Sequence, residues 1–292
     1  MTDFARRMSH TPLKPRKSIV LTIVMALMLI YTLVPLVWLI ISATKSNTDL
    51  VNTFGFAFGH FNLIQNIRDV FTYENGVYGH WLLNTLIYVV AGAGGATVLS
   101  ALGGYGLAKY DFPGKKAVFA IILGAVAVPG TALAVPTFLL FSKVGLTNTM
   151  WAVILPSLIS PFGLYLMWVF ASEAIPTELL EAARVDGSGE LRTFGTISLR
   201  LLGPGIVTVA LFAIVATWNN YFLPLIMLND PKLYPLTVGL QSWNAETVGV
   251  AARPVFSLVT TGSLLAIIPI VVAFLLLQRF WQSGLSAGSV KQ

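Results

Sequence analysis

Six long windows of this 292-residue chain contain no Asp, Glu, Lys or Arg: 19–42, 81–108, 117–141, 151–171, 203–228 and 258–278. Each holds at least 21 residues, and a bilayer-crossing helix needs about 20 predominantly apolar ones. None shows the apolar–polar alternation of a half-buried strand. The pattern predicts an all-α polytopic membrane protein with six transmembrane helices. Composition agrees: charged residues are 10% and hydrophobic residues 56%, against roughly 25% charged in a soluble domain. So few charges cannot cover a water-soluble globule of this length, and so many apolar residues argue against a disordered chain.

The first window follows a basic stretch (Arg6, Arg7, Lys14, Arg16, Lys17), as a signal peptide would. Its apolar run is longer than a usual signal core, and no small-x-small cleavage site follows; it reads as a retained span. The chain divides into an N-terminal segment 1–17, a six-helix domain 18–280 and a tail 281–292. Lys and Arg set the orientation. With the N-terminus inside, segments 1–18, 109–116, 172–202 and 279–292 carry 13 basic residues, and the three on the other side carry 5. Both termini are expected inside. The net charge of +6 then reports membrane loops, not a nucleic-acid partner.

Eight prolines fall within spans: Pro35, Pro129, Pro136, Pro156, Pro161, Pro204, Pro224 and Pro269. Each lacks an N–H for the helix ladder, so kinks or broken turns are expected. They suit either irregular packing or helices that rock around a central path. The small residues 91–96, with Gly103, Gly104 and Gly106, allow close helix approach, within the chain or against a partner.

Several chemistries have no residues to carry them. There is no cysteine and no G-x-x-x-x-G-K-[ST] phosphate loop. The dispersed His10, His60 and His80 lack metal-ligand spacing. No serine sits in a G-x-S-x-G elbow. Neither a catalytic set nor a metal site is expected. The charge-free spans also argue against an ion-coupled carrier, which usually places ionisable groups there.

The inside segment 172–202 is the most informative. Pro176 suits a helix start, Glu178 and Glu181 suit its first turns, and Gly187 suits a left-handed stop. Leu191, Phe194, Ile197 and Leu201 continue at helical spacing. This predicts a helix–turn–helix at the membrane surface. An amphipathic helix on anionic lipid would want a basic face, whereas 177–186 sets Glu178, Glu181 and Asp186 against Arg184 alone. That favours a basic protein partner.

Glu181-Ala182-Ala183-x-x-Asp186-Gly187, followed by Phe194, Ile197 and Leu199, resembles the EAA loop of ABC importer permeases. The Pro that normally follows the Leu is Arg200 here. Asn84-Thr85-Leu86, Gly104 to Tyr110, Trp218-Asn219 with Pro224-Leu225, Pro235-Leu236-Thr237 and the C-terminal Gly284 to Lys291 are similar to the carbohydrate-importer branch, of maltose-permease type. The resemblance runs over residues 18–292. It implies a cytoplasmic coupling loop in a bacterial inner-membrane protein. It also implies a second related permease subunit, two ATPase subunits that hold the ATP and Mg this chain does not bind, and an extracytoplasmic sugar-binding protein.

On that resemblance, Glu181, Ala182, Ala183, Arg184, Asp186 and Gly187 dock on an ATPase subunit. Glu181 pairs with a basic side chain there; taken alone, it would pass for a solvated helix charge. Trp218, Asn219, Asn220 and Tyr221 form a candidate sugar path, since aromatic faces stack on sugars and amides bond hydroxyls. The same residues equally make an interface belt and helix caps, the commoner origin of such groups. The tail 281–292 suits insertion between ATPase domains or a free end. A neutral sugar fits spans without charge. The competing reading is a stand-alone secondary carrier.

Overall fold

The computed structural model describes residues 18–248 and 252–287. The basic N-terminal segment, with His10, and tail residues 288–292 lie outside the described residues. Helix α1 (Ile19–Ala43) starts at Ser18, whose Oγ accepts from the Leu21 N–H. Short helices α2 (Asn47–Asn52) and α3 (Leu63–Thr72) follow. Glu74, Asn75 and Gly76 then take left-handed backbone angles and turn the chain into α4 (Val77–Tyr88). One π turn, Val89–Ala93, joins α4 to α5 (Gly94–Lys109). Next come α6 (Lys115–Ala127), α7 (Gly130–Lys143), α8 (Trp151–Ser157) and α9 (Pro161–Ala174). The surface elements are α10 (Thr177–Val185) and α11 (Glu190–Thr193), then a π turn and α12 (Leu199–Leu201). The chain closes with α13 (Gly203–Trp218), α14 (Phe222–Met227), α15 (Leu236–Glu246) and α16 (Phe256–Ala287).

Among the described residues there is no strand. Four helical runs are long and apolar enough to cross a membrane, or six if two sharply bent pairs each count as one span. The window expected at 117–141 is not one rod: α6 and α7 meet at 105°. Pro129 explains the break. The residue before a proline is pushed out of the helical region, and Val128 is extended at ψ 122°. The window expected at 203–228 is likewise interrupted, at Asn219–Tyr221 between α13 and α14. Its N-terminal end bends by 78° from the run Glu190–Leu201. Gly203 and Pro204 sit at that bend, so the turn comes a few residues after Arg200. The tail is helical to Ala287.

The small residues of α5 pack inside the chain. A Cβ on Gly104 would lie 2.5 Å from the Met167 Cβ and 2.7 Å from backbone atoms of Met167 and Trp168 on α9. Gly95 meets Leu158 as closely, whereas Gly94 and Gly106 face open space. Below this contact Ala101, Tyr105, Met167, Ala171, Leu180 and Leu202 form one buried cluster, reaching from the membrane helices to α10.

A second knot joins two distant motifs. Trp81, Asn84, Thr85 and Tyr88 fall on one face of α4 at helical spacing. The Trp81 indole N–H donates to the Pro231 carbonyl, the Asn84 amide to Lys232 and Tyr234 carbonyls, and the Tyr88 hydroxyl to Leu233. The Thr85 hydroxyl oxygen accepts from the Leu236 N–H at 2.8 Å. The loop before α15 thus has its backbone groups satisfied by one helix face, as burial demands.

Gly104→Ala is expected to destabilise the purified protein by about 3 kcal/mol, the upper end of overpacking costs, because backbone cannot move aside. Gly106→Ala, with the same helix-propensity gain and free space, should be neutral or stabilising. Thermal unfolding in detergent reads both.

Candidate functional site

The surface loop is built from its apolar side upward. On α10, Leu180 and Ala183 are buried, while Glu181, Ala182, Arg184, Val185 and Asp186 are exposed. Pro176 caps the start, one position earlier than a first helical residue. Gly187 has φ +74°, as its place after the helix predicts. Its N–H donates to the Arg184 carbonyl and the Ser188 N–H to Ala183, which is the paired closure of a left-handed helix end. Beyond the turn, Leu191 is 87% exposed and faces solvent together with Val185, at 88%. The loop therefore presents small, acidic and apolar side chains outward.

Polar ties hold the loop to the membrane helices. Glu190, at the start of α11, accepts from Arg184 Nε at 2.8 Å and from the Tyr110 hydroxyl just beyond α5. The Lys109 ammonium donates to the Ile175 carbonyl at 2.6 Å. Three segments thus meet at one carboxylate. The Tyr110 hydroxyl and the Arg184 guanidinium hold the Glu190 carboxyl below its usual range. Burial, and then the neighbouring Glu190, push the Tyr110 phenol up. A depressed carboxylate contributes its ties above its unfolded pKa and loses them only as pH falls through the lower folded value. The network is therefore complete across neutral pH.

The four candidate path residues separate. Trp218 ends α13 at 7% exposure, inside a cluster with Tyr78, Trp81, Leu236 and Trp243. Asn219 is exposed, and its amide donates back to the Val215 carbonyl of its own helix. Tyr221 is half-buried. Asn220 lies at the break between α13 and α14, where its carbonyl accepts from Thr237 Oγ1, and it lines a cleft of about 950 Å³. That cleft runs between the α6–α7 bend and the starts of α9 and α14. Its polar lining is Thr131, Thr137, Ser157 and Asn220, set among apolar residues with no charged side chain. Sequence reasoning did not select the three hydroxyls; the bend at Pro129 that brings α7 over α8 is the signal that could have found them. Among the described residues no group of three or more His, Cys, Asp or Glu could hold a metal ion.

Residues 96–286 match the family model of the binding-protein-dependent transport system inner membrane component. The chain belongs to this family of membrane transport permeases. Family members are ABC permease subunits without an ATPase site of their own. The arabinooligosaccharides transport system permease AraQ of Halalkalibacterium halodurans is 32% identical over 95% of this chain and 98% of its own length. The lactose transport system permease LacG of Rhizobium radiobacter is 31% identical over 92% and 94%. A crystal structure of a bacterial ABC transporter involved in import of the acidic polysaccharide alginate contains a chain with the same fold. Its TM-score is 0.78, with 21% identity over 93% of this chain and 100% of that one. The chain is thus a sugar-type ABC permease with its apolar helices in a membrane.

Gly187→Ala forces a Cβ into left-handed backbone at about 1 kcal/mol. It should raise amide hydrogen exchange in the last turn of α10 and leave α5 protection unchanged.

Proposed function

We propose that this permease is the membrane-spanning part of an ATP-driven, binding-protein-dependent importer. It carries a neutral mono- or oligosaccharide into the bacterial cytoplasm by alternating access. The observation that carries the reading is the outward face of α10, with Glu181, Ala182, Val185 and Asp186, on a helix bolted down by Leu180 in the α5–α9 cluster and by Arg184, which Glu190 links to Tyr110 just beyond α5. Such a face suits the cleft of an ATPase subunit on the cytoplasmic side, and a bolted helix passes that subunit's motion to the spans. Two ATPase subunits would hold ATP and Mg, a second related permease would complete the path, and an extracytoplasmic binding protein would deliver the sugar. The charge count supports cytoplasmic termini.

The uncharged cleft with its hydroxyls and one amide supports a neutral substrate, since a fixed anion in an apolar wall would want a cation. The sugars named for the relatives, arabinooligosaccharides and lactose, point the same way. Asn220 is the path residue we retain; Trp218 serves the core.

ATP hydrolysis by the complex in lipid discs, with binding protein and a panel of these sugars, is expected to rise with one of them. Hydrolysis that no sugar of the panel raises would sink the sugar assignment, and uptake without an ATPase subunit would sink the ATP-driven reading in favour of a stand-alone carrier. The Glu181→Lys, Gly187→Arg double variant should lose the co-purifying ATPase subunit; its retention with intact uptake would sink the docking assignment. Trp218→Ala should cost about 3–5 kcal/mol of stability as a core truncation. Asn220→Ala should shift the sugar KM with thermal stability unchanged.

A further inference from the structure

The segment between α2 and α3 carries four exposed phenylalanines. Phe54, Phe58 and Phe61 are 76, 73 and 71% exposed and Phe56 is 43% exposed. From Leu50 to Gly59 there is no Asp, Glu, Lys or Arg. Such a patch facing water is uncommon and marks a contact surface.

The segment's position is set by a buried cation. Lys45, just past the end of α1, is 1% exposed. Its ammonium donates to Thr53 Oγ1 at 3.0 Å and to the Phe54 carbonyl at 2.9 Å, with the Gly55 carbonyl at 3.5 Å. Among the described residues it has no carboxylate partner. The Asn66 amide donates to the Ala43 and Lys45 carbonyls, and the Asn62 N–H to Thr44, which fixes the base of the loop. These bonds fold the loop back along α1. A Cβ on Gly55 would stand 3.0 Å from Trp38 Nε1. Trp38 precedes Ala43 by five residues, about 7.5 Å down the helix at 1.5 Å per residue, and helical side chains lean further toward the N-terminus. Gly55, between Phe54 and Phe56, therefore sits at the level of the last turns of a span. There Leu36, Val37 and Ile40 of α1 are also exposed.

The geometry points to a membrane anchor: the phenylalanine loop 53–61, pinned by Lys45, inserts into the lipid leaflet at the Ala43 end of α1. Lipid acyl chains are the occupant, because the patch continues the exposed face of a spanning helix at the same depth. Its polar rim is small: within 53–61 the one titratable side chain is His60, whose backbone N–H donates to the Asp49 carboxylate. Exposed phenylalanines beside an apolar helix suit the boundary between headgroups and acyl chains, and the loop backbone is tied to the protein at Thr53, Phe54, Ala57 and His60. The inference holds for either orientation of the chain, so it stands or falls separately from the importer reading.

The chain has no cysteine, which makes site labelling direct. Phe56→Cys and Phe58→Cys, each carrying an environment-sensitive fluorophore, are compared in lipid discs with Asn244→Cys on the exposed surface of α15. Lipids with brominated acyl chains should quench the probes at 56 and 58 about threefold more than at 244, with the order reversed for aqueous iodide. Equal iodide quenching at all three sites would place the loop in water. Protection arising only when the binding protein or a second permease is added would make it a protein contact. Either result overturns the proposal. Lys45→Met in the Phe56→Cys background should bring lipid quenching down to the level at 244 while helicity by circular dichroism is kept. Unchanged quenching there would overturn Lys45 as the pin. The probes at 56 and 58 still report if that variant does not fold.

Discussion

An amide or carbonyl with no partner in hydrocarbon costs several kcal/mol, and this fold breaks its spans repeatedly. Every break needs a replacement partner, and the side chains that supply one are what hold the breaks in place. Ser160 accepts from the Gly163 N–H at the start of α9. Asn148 Oδ1 accepts from the N–H groups of Asn229 and Asp230. Thr237 donates to the Asn220 carbonyl where α13 ends, and Asn66 takes two carbonyls at the end of α1. Among the described residues the buried Asn66, Asn84, Thr85 and Thr261 belong to this set, whereas Thr97, Thr208 and Thr260 bond carbonyls of their own helices.

The same constraint shapes the cleft. It lies at the α6–α7 bend, and the Thr137 and Ser157 hydroxyls that reach it bond their own helices through the Leu133 and Val153 carbonyls. Toward the C-terminal end of α5, its close contact with α9 at Gly104 makes one stiff pair, and Glu190 ties the surface loop to Tyr110 just beyond it.

Much of the surface loop 172–202 was legible because its determinants are local. Gly187 needs left-handed backbone, and its position after an acidic-start, small-faced helix says so without any tertiary contact. The path residues were legible only in part. Trp218 and Asn220 are near neighbours in sequence, yet one fills the aromatic core with Trp81 and Trp243 and the other faces the cleft. That division depends on where α4 and α15 pack. The Asn84-Thr85 and Pro235-Leu236 segments could be noted separately, but nothing in their spacing says that Thr85 accepts from Leu236.

By itself, the sequence determined the all-helical membrane class, the six apolar segments, and the surface helix with its stop. Each follows from composition or local backbone preference and needs no long-range contact. Tertiary structure alone decided the 105° angle between α6 and α7, that Gly103 and Gly104 of α5 meet α9 while Gly94 and Gly106 do not, and which polar groups line the cleft. It also decided that Lys45 is buried on carbonyls and not in water. Those outcomes depend on which backbone groups lose water when helices from distant parts of the chain meet, and one-dimensional periodicity carries no record of that.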